Sequence, residues 1–360
     1  MRIRAQRDDL ADVLTRANRA VGTRTALPVL QGLLCEVSGS TLRVTGTDLE
    51  VTVRTQTEVE VMEEGRAVIP GRLLSEAVRK MPQGQVTIGA DEHEVIIEGN
   101  GPRFTLRPLV VDDFPTQDDV VTEGVEVDGE LLADAIDQVA IAASGDGARP
   151  ILTGVLFEEV EGGLRLVATD SYRLAKRDLP GVGIGGTGLV PARGLREMSR
   201  TIGSPKVTAQ LRDREAVFSS DRGMLRLRLI DGSFPKYGSL LPESYPNQVI
   251  LSKADLLDAL GRVTLVAEDH IPVRMKLMEG GVEVAVSRQD VGGETEHLAG
   301  EFSGSEEEVS IAFNPRYLQD GVLALGTEKV RIQVMDSFKP AVIDAGTDGD
   351  YLYLLMPVRV

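Results

Sequence analysis

The spacing of hydrophobic residues near the amino terminus predicts a helix. Four apolar residues recur three or four positions apart, which is typical of one buried helix face and favours a helix over residues 8–20: Leu10, Val13, Leu14 and Ala17. A second helix is predicted over residues 72–80, because Pro70-Gly71 precedes it and Met81-Pro82 ends it.

Strands are predicted wherever apolar and polar residues alternate with an excess of β-branched side chains. In the first third of the chain such segments lie at 42–45, 51–54, 85–88, 95–98 and 104–106. Helices and strands in this order predict α+β units, each with two helices packed on antiparallel sheet.

The chain repeats this pattern. Segment 27–34 (LPVLQGLL) resembles segment 149–156 (RPILTGVL), and Asp48 is matched by Asp170 at the same offset of 122 residues. A third copy begins near Ser252. Several matches at one offset predict three tandem domains, 1–120, 121–248 and 249–360. Regular repetition also predicts a curved architecture with its helices on one side.

Composition narrows the class of protein. Of the 360 residues 26% are charged, which argues against disorder. The sequence holds no apolar run of about 18 residues, so we expect no spanning helix and no membrane partner. The amino terminus lacks the apolar core of a signal peptide, and the single Cys35 allows no intrachain disulfide. These features favour a cytoplasmic protein.

Motifs that could carry chemistry are weak. The glycine-rich run 181–186 has the spacing of a dinucleotide-binding loop, but Leu179-Pro180 precedes it and extended chain follows, which favours a connector. Asp344, Asp348 and Asp350 lack the spacing of a calcium loop, and Asp348-Gly349 is a better hairpin turn. The histidines, His93, His270 and His297, are scattered, and Cys35 is read as a core residue.

Asp48 and Asp170 are the remaining catalytic candidates. Their equivalent repeat positions favour a turn role through side-chain-to-backbone hydrogen bonds. We therefore predict a binding protein without catalytic residues, metal or cofactor. An enzyme that uses Asp48, Asp170 or the glycine-rich run is the alternative, and loss of turnover on changing Asp170 would reveal it.

The net charge of −17 argues against nucleic acid, yet the predicted helices together are nearly neutral. Arg193, Arg196 and Arg200 are spaced to share one helix face, and Arg72 and Arg79 are seven residues apart. On the charges alone, a solvated face with ion pairs is the favoured interpretation; loose, salt-sensitive phosphate contact is the other interpretation. The candidate DNA-binding residues are Arg24, Arg72, Arg79, Arg149, Arg193, Arg196 and Arg200, with Arg16 as a further candidate near a helix end.

The chain resembles the bacterial DNA polymerase III beta subunit family, the sliding clamps, over almost its whole length. Segments that carry the resemblance are 24–30 (RTALPVL), 45–50 (TGTDLE), 168–175 (ATDSYRLA), 228–235 (RLIDGSFP), 313–318 (FNPRYL) and 356–360 (MPVRV). The resemblance implies a head-to-tail homodimer of two three-domain chains that closes into a six-domain ring. Helices would line the hole, sheets would form the outside, and duplex DNA would be held by encirclement without sequence recognition.

The resemblance also implies a hydrophobic cleft between the second and third domains. This cleft would receive short linear peptides from the DNA polymerase III alpha subunit, the clamp loader and repair polymerases. Ser171-Tyr172 stands where the family more often has Gly-His, which leaves the peptide preference open. The implied cleft residues are Leu152, Thr169, Ser171, Tyr172, Arg173, Leu174, Pro235, Leu240, Asn314, Tyr317, Phe338, Leu354, Met356, Pro357, Val358 and Arg359.

For the dimer contact the resemblance implies two patches, with Arg103 facing Glu294 or Glu296 of a second copy. We therefore predict a processivity factor of DNA replication; a clamp paralogue with a specialised role is the alternative. The dimer residues are Leu73, Ala77, Arg103 and Phe104 on the first domain and Leu265, Val266, Glu294 and Glu296 on the third.

Overall fold

The computed structural model describes residues 1–22, 25, 27–115, 124–241, 244–267, 271–346 and 349–359. The chain divides into two compact units. Unit 1 consists of Met1–Ala133, Ile184–Gly186 and Arg193–Leu229, and unit 2 consists of Asp134–Gly183, Thr187–Ala192 and Ile230–Val360. The second predicted domain contributes residues to both units, and the division into three repeats stays a prediction.

The amino-terminal third begins with a strand and a helix, and its elements agree with the predicted pattern. The predicted helices 8–20 and 72–80 correspond to α1 and α2, and the predicted strand segments all lie within observed strands. In chain order the elements are β1 (Arg2–Gln6), α1 (Arg7–Asn18), β2 (Gly32–Ser38), β3 (Thr41–Thr47), β4 (Val51–Glu58), β5 (Glu60–Glu63), β6 (Gly65–Pro70), α2 (Gly71–Lys80), β7 (Gln85–Ala90), β8 (Val95–Glu98) and β9 (Arg103–Leu106).

The middle third repeats this order with shorter helices near its centre. Its elements are β10 (Val125–Asp128), α3 (Gly129–Ala140), β11 (Gly154–Val160), β12 (Gly163–Thr169), β13 (Arg173–Pro180), β14 (Gly188–Pro191), α4 (Ala192–Leu195), α5 (Met198–Ile202), β15 (Lys206–Leu211), β16 (Glu215–Ser220) and β17 (Gly223–Arg228).

The last third repeats the order again and ends in a strand. Its elements are β18 (Asn247–Ser252), α6 (Lys253–Ala267), β19 (Val273–Met278), β20 (Gly281–Arg288), β21 (Gly292–Ser303), β22 (Glu308–Phe313), α7 (Pro315–Leu323), β23 (Lys329–Val334), β24 (Ala341–Asp344) and β25 (Tyr351–Leu355).

Unit 1 contains two antiparallel sheets. One has the order β5-β1-β7-β8-β9, and the other has the order β10-β15-β16-β17-β4-β3-β2-β6. Helix α1 buries the four residues that its spacing predicted, and α2 adds Leu74 and Val78 to the same core. Cys35 of β2 is buried in this core, and burial raises the pKa of its thiol to about 12. The interpretation of Cys35 as a core residue is confirmed.

Unit 2 is built on one continuous antiparallel sheet. Its strand order is β14-β11-β12-β13-β25-β24-β23-β18-β21-β20-β19-β22. The terminal strand β25 therefore lies inside the sheet, between β13 and β24. This position explains why Tyr353 and Leu355 are buried, although they lie close to the end of the chain.

The single helix predicted to carry Arg193, Arg196 and Arg200 on one face is wrong, because the structure has the two short helices α4 and α5 there. Leu195, Met198 and Ile202 are buried at the spacing of one helix face, but the N–H of Glu197 donates to the carbonyl of Gly194 at 3.1 Å, three residues back and not four. This tighter turn at Arg196-Glu197 separates α4 from α5. The three arginines therefore do not lie on one continuous helix.

The glycine-rich run 181–186 connects β13 to β14 and is followed by a strand, so its interpretation as a connector is confirmed. Strands β24 and β25 pair as a hairpin, while Asp348 of the predicted turn lies outside the described residues, as does His270. None of the helices in the described part of the chain is both long and apolar enough to cross a bilayer.

Candidate functional site

The turn between β12 and β13 displays Tyr172 on the surface of unit 2. One carboxylate oxygen of Asp170 accepts the backbone N–H groups of Tyr172 at 2.9 Å and Arg173 at 3.0 Å. The hydroxyl of Thr169 donates to the Arg173 carbonyl at 2.7 Å. Ser171 adopts a positive φ of 80°, and the Tyr172 side chain is left 59% exposed. The predicted turn role of Asp170 is confirmed.

The Arg173 side chain fixes this turn to the rest of unit 2. Its guanidinium donates to Asp170 at 3.0 Å, to Asp320 of α7 at 2.6 Å and to the Tyr353 hydroxyl at 3.3 Å. It also lies 4.3 Å from the centre of the Tyr317 ring, within the range of a cation–π contact. Burial by itself would lower the pKa of Arg173, but Tyr353, Asp320 and Asp170 outweigh it and raise that pKa. Arg173 is therefore a permanently charged structural anchor.

Helix α7 places a second aromatic side chain beside Tyr172. The Asn314 side chain accepts the N–H of Tyr317 at 3.1 Å, and Pro315 follows as the first helical residue, so both residues define the start of α7. The rings of Tyr172 and Tyr317 are 6.4 Å apart between centroids and tilted by 31°. Such a pair presents two aromatic faces without closing over the space between them.

The backbone of the carboxyl-terminal tail, residues 356–359, is hydrogen-bonded to this turn and to strand β22. The N–H of Met356 donates to the Tyr172 carbonyl at 2.9 Å, and the N–H of Val358 donates to Ala312 of β22 at 2.8 Å. Met356 and Val358 keep part of their side chains exposed, in contrast to the buried Leu354 and Leu355. The tail is thus held by its backbone while its apolar side chains face outward.

A buried apolar cluster supports this surface from below. Its members are Val167, Leu174 and Leu354, with Leu156, Phe234, Tyr237, Leu241 and Leu352 packed against them. Above and beside it the exposed apolar side chains of Tyr172, Leu240, Phe338, Met356 and Val358 form what we call the cleft. The structure therefore brings most of the residues predicted for a peptide-binding cleft to one region of unit 2.

Two cavities flank the tail. A cavity of about 480 Å³ is lined by Tyr172, Arg173, Asn314 and Tyr317, and by Arg149. The guanidinium of Arg149 pairs with Asp146 at 3.2 Å beside this cavity, and the predicted contact of Arg149 with DNA stays a prediction. A smaller cavity of about 200 Å³ is lined in part by Phe338, Val358 and Arg359. Among the other predicted cleft residues, Leu152 is buried and Pro235 is exposed.

Three charged residues of this region were missed from the sequence. Asp320 is joined to Arg173 from a distant part of the chain, Arg316 lines the larger cavity, and Arg274 lines the smaller one. The alternation of buried Val273 and Met275 could have placed Arg274 on the outer face of its strand. No pattern in the sequence pairs Arg173 with Asp320.

The arginines predicted to contact DNA in unit 1 are exposed but mostly paired. Arg72 pairs with Glu76 at 3.0 Å, Arg200 pairs with Glu197 at 3.5 Å, and Arg193 pairs with Asp48. Exposed pairs of this kind contribute roughly 0–1 kcal/mol, so a phosphate can displace the carboxylate. Arg79 is exposed at the end of α2, Arg196 is exposed between α4 and α5, and Arg24 lies outside the described residues.

Arg16 does not belong with these arginines, although its position near a helix end suggested it. Its side chain is buried, donates to the carbonyls of Thr201 at 3.2 Å and of Arg222, and pairs with Asp12 at 2.8 Å. Burial lowers the pKa of Arg16, and Asp12 partly offsets that effect. Arg16 therefore joins α1 to α5 and the turn after β16, and it is not available to DNA.

The first predicted dimer patch lies in unit 1, on α2 and on β9, which is the edge strand of its sheet. Leu73 and Phe104 are exposed, and Arg103 pairs with Glu98 at 3.3 Å. Ala77 is only 6% exposed and belongs to the core of unit 1, so within a single chain it offers no contact surface. The patch therefore consists of Leu73, Arg103 and Phe104.

The second predicted dimer patch lies in unit 2, on α6 and β21. Leu265 is 82% exposed beside the half-buried Val266. Both carboxylate oxygens of Glu296 accept from Arg262 at 2.8 Å, so Glu296 is already paired. One carboxylate oxygen of Glu294 is buried without a hydrogen-bond partner among the described residues, and burial together with Glu296 raises the pKa of Glu294. Of the two acids in this patch, Glu294 therefore has a carboxylate oxygen without a hydrogen-bond partner among the described residues, whereas both oxygens of Glu296 are bound.

Known proteins resemble the chain along its whole length. Family models of the DNA polymerase III beta subunit match it in three parts: the N-terminal domain at residues 1–118, the central domain at 126–236 and the C-terminal domain at 238–359. The beta sliding clamp of Streptomyces coelicolor is 33% identical over 100% of both chains. A beta sliding clamp homolog, GriR, of Streptomyces muensis is 31% identical, over 100% of this chain and 99% of its own.

Solved structures agree with these sequence relatives. The DNA polymerase III beta subunit of Thermotoga maritima superimposes with a TM-score of 0.92 at 26% identity, over 100% of this chain and 99% of that one. The corresponding subunit of Pseudomonas aeruginosa gives a TM-score of 0.92 at 29% identity over 100% of both chains. The chain therefore belongs to the DNA polymerase III beta subunit family, the bacterial beta sliding clamps.

Proposed function

We propose that two copies of this chain close into a ring around duplex DNA and slide along it as the processivity factor of a replicative polymerase. The observation that carries the proposal is the cleft, whose exposed apolar side chains lie around a tail in which the N–H groups of Met356 and Val358 are held by backbone hydrogen bonds. Such a surface suits a short peptide from the polymerase, the clamp loader or a repair protein. In this role the chain is a cytoplasmic, non-catalytic subunit without a cofactor.

Two unpaired sheet edges support ring closure. Strand β9 ends its sheet in unit 1, and residues 292–299 of β21 pair only with β20 among the described residues of unit 2. Exposed edges invite pairing with another chain. Two different edges on one chain favour a head-to-tail contact, which closes into a ring when the rotation between copies permits.

The arginines of unit 1 suit a ring that slides. Because Arg72, Arg193 and Arg200 are exposed and already paired with carboxylates, they offer weak and exchangeable contacts to phosphate. Encirclement does not need tight binding, and tight contacts would hinder movement. The chain as a whole has a net charge of −17, which discourages binding of DNA elsewhere on the protein.

Retention on circular and linear DNA tests the proposal. The protein is placed by a clamp loader on nicked circular DNA, and one half of the sample is then cut once by a restriction enzyme. We expect retention on the circle and rapid loss from the linear product, because a ring escapes only over a free end. Equal retention on both would show a groove binder and would contradict the proposal.

A specialised clamp paralogue is the second candidate. Two observations favour it: the 31% identity to a beta sliding clamp homolog, and Ser171-Tyr172 at the cleft turn where the family more often has Gly-His. A paralogue of this kind would dimerise and bind peptides but would not serve replication. Complementation of a strain depleted of its replicative clamp separates the two roles, since only a main clamp restores growth.

A further inference from the structure

The smaller cavity beside the tail has a chemistry of its own. Its volume is about 200 Å³, and its walls include two guanidinium groups, two hydroxyl groups and an aromatic ring, from Arg274, Arg359, Ser310, Ser337 and Phe338. No carboxylate lies among the described residues that line it. In a chain with a net charge of −17, two guanidinium groups at one cavity are a local concentration of positive charge.

The walls of this cavity are held by backbone hydrogen bonds. Arg274 lies on β19 directly opposite Ala312 of β22, and the Ala312 carbonyl accepts the N–H of Val358 in the tail. On the third side, one oxygen of Asp336 accepts the N–H groups of Phe338 at 2.8 Å and Lys339 at 2.9 Å. These turns and pairings fix the cavity before any ligand arrives, which lowers the entropic cost of binding.

Neither arginine is bound to another group among the described residues. In the part of the chain that the structure describes, the side chains of Arg274 and Arg359 have no ion-pair or hydrogen-bond partner, whereas the neighbouring Lys276 pairs with Glu308 at 2.6 Å. Guanidinium groups bind carboxylates with paired, charge-assisted hydrogen bonds. Beside them the Phe338 ring is 72% exposed, so an apolar group can pack next to the charge.

We propose that this cavity binds an aspartate or glutamate side chain of the partner peptide in the cleft, while an adjacent apolar residue of that peptide packs on Phe338 and Val358. This inference rests on the proposed function and adds to it a preference for an acidic residue in the bound peptide. A cavity of about 200 Å³ accommodates one side chain while the peptide backbone remains outside. Arg274 and Arg359 are then the residues that determine specificity for an acid.

Paired peptides test the assignment. The probes are fluorescein-labelled peptides with an apolar segment of leucine and phenylalanine and one glutamate placed before or after it, each with a twin that has glutamine instead. Anisotropy titrations against the full chain are expected to show about tenfold tighter binding of one glutamate peptide than of its twin, and the ratio should fall as salt rises. Arg274→Gln and Arg359→Gln should each bring the ratio towards one by weakening binding of the glutamate peptide more than binding of its glutamine twin.

Arg214→Gln is the matched control. Arg214 is exposed in unit 1, so this variant loses the same charge without touching the cavity and should keep the full ratio. Equal binding of glutamate and glutamine twins to the wild type, or a preference that survives in both cavity variants, would overturn the inference. If the protein distinguished only a free peptide carboxyl terminus from an amidated one, the cavity would bind the terminal carboxylate. That result would overturn the assignment to a side chain. Failure of every peptide to bind would overturn the proposed cleft itself, and the inference with it.

Discussion

At the cleft, the single guanidinium of Arg173 contacts two carboxylates, a phenol and an aromatic ring. Asp170 and Asp320 come from different parts of the chain, and without Arg173 they would face each other unneutralised. A side chain that pairs with several buried charged groups stabilises the fold mainly by avoiding the free-energy cost of leaving those charges unpaired. The order of the Tyr172 turn therefore depends on a residue that the peptide itself need not touch.

Replacing Arg173 should be costly for stability as well as for binding. We expect Arg173→Met to lower the free energy of unfolding by about 2–3 kcal/mol, because it leaves two partly buried carboxylates unpaired. Urea denaturation followed by circular dichroism measures the change. Arg173→Lys keeps the charge but not the planar fork and should lose less. An unchanged midpoint for Arg173→Met would show that the network does not stabilise unit 2.

At the scale of an element, the same turn occurs twice. Asp48 accepts the N–H groups of Glu50 at 3.1 Å and Val51 at 2.8 Å, as Asp170 does for Tyr172 and Arg173. Leu49 and Ser171 both adopt positive φ, at 77° and 80°. In each copy the carbonyl of the next residue accepts a backbone N–H. Glu50 accepts from Arg228, and Tyr172 accepts from Met356. The repeated backbone therefore carries a charged surface in unit 1 and an apolar cleft in unit 2.

The positive φ of Leu49 predicts a stabilising substitution. A side chain with a Cβ is strained there by about 1–2 kcal/mol, and glycine removes that strain at a smaller entropic cost. We expect Leu49→Gly to raise the free energy of unfolding by about 0.5–1 kcal/mol, measured by urea denaturation. Leu49→Ala keeps the Cβ and should give no gain. A loss of stability in Leu49→Gly would mean that contacts of the exposed leucine side chain stabilise the fold by more than the backbone strain destabilises it.

Helices, strands and turns could be predicted from the sequence where the spacing of apolar residues or the internal repeat determined them. The buried face of α1 follows from Leu10, Val13, Leu14 and Ala17, and the Asp48 and Asp170 turns follow from the repeat. Prediction failed at α4 and α5, because the buried positions keep a helical spacing and do not reveal the tighter backbone turn at Arg196-Glu197. It also failed for Asp320, because its contact with Arg173 joins distant parts of the chain and leaves no local pattern.

At the scale of the whole molecule, the proposed ring depends on one charged contact that a charge exchange can test. Arg103 of one copy is expected to face Glu294 of the other. Arg103→Glu should raise the dimer dissociation constant about tenfold, because it places two carboxylates at the contact. The double variant with Arg103→Glu and Glu294→Arg should restore dimerisation. Sedimentation velocity over a dilution series measures both.

Glu296→Arg with Arg103→Glu is the matched control for that exchange. Because Arg262 already holds Glu296 through both oxygens, reversing Glu296 should not rescue the Arg103 variant. Rescue of dimerisation by Glu296→Arg would show that Arg103 contacts Glu296 and not Glu294. A dissociation constant that does not change in Arg103→Glu would remove the contact from the proposed interface.

Ring closure should also depend on pH through Glu294. In the free chain, burial and the neighbouring Glu296 raise the pKa of Glu294, while Arg262 lowers it in part. Pairing with Arg103 would lower that pKa in the dimer, so dimerisation would release a proton. By linkage, the contribution of Glu294 to dimer affinity is present above its pKa in the free chain and is lost as pH falls through its pKa in the dimer. We expect weaker dimerisation at acidic pH in the wild type and a smaller pH dependence in Glu294→Gln; the same slope in both, measured by sedimentation, would exclude Glu294 as the titrating group.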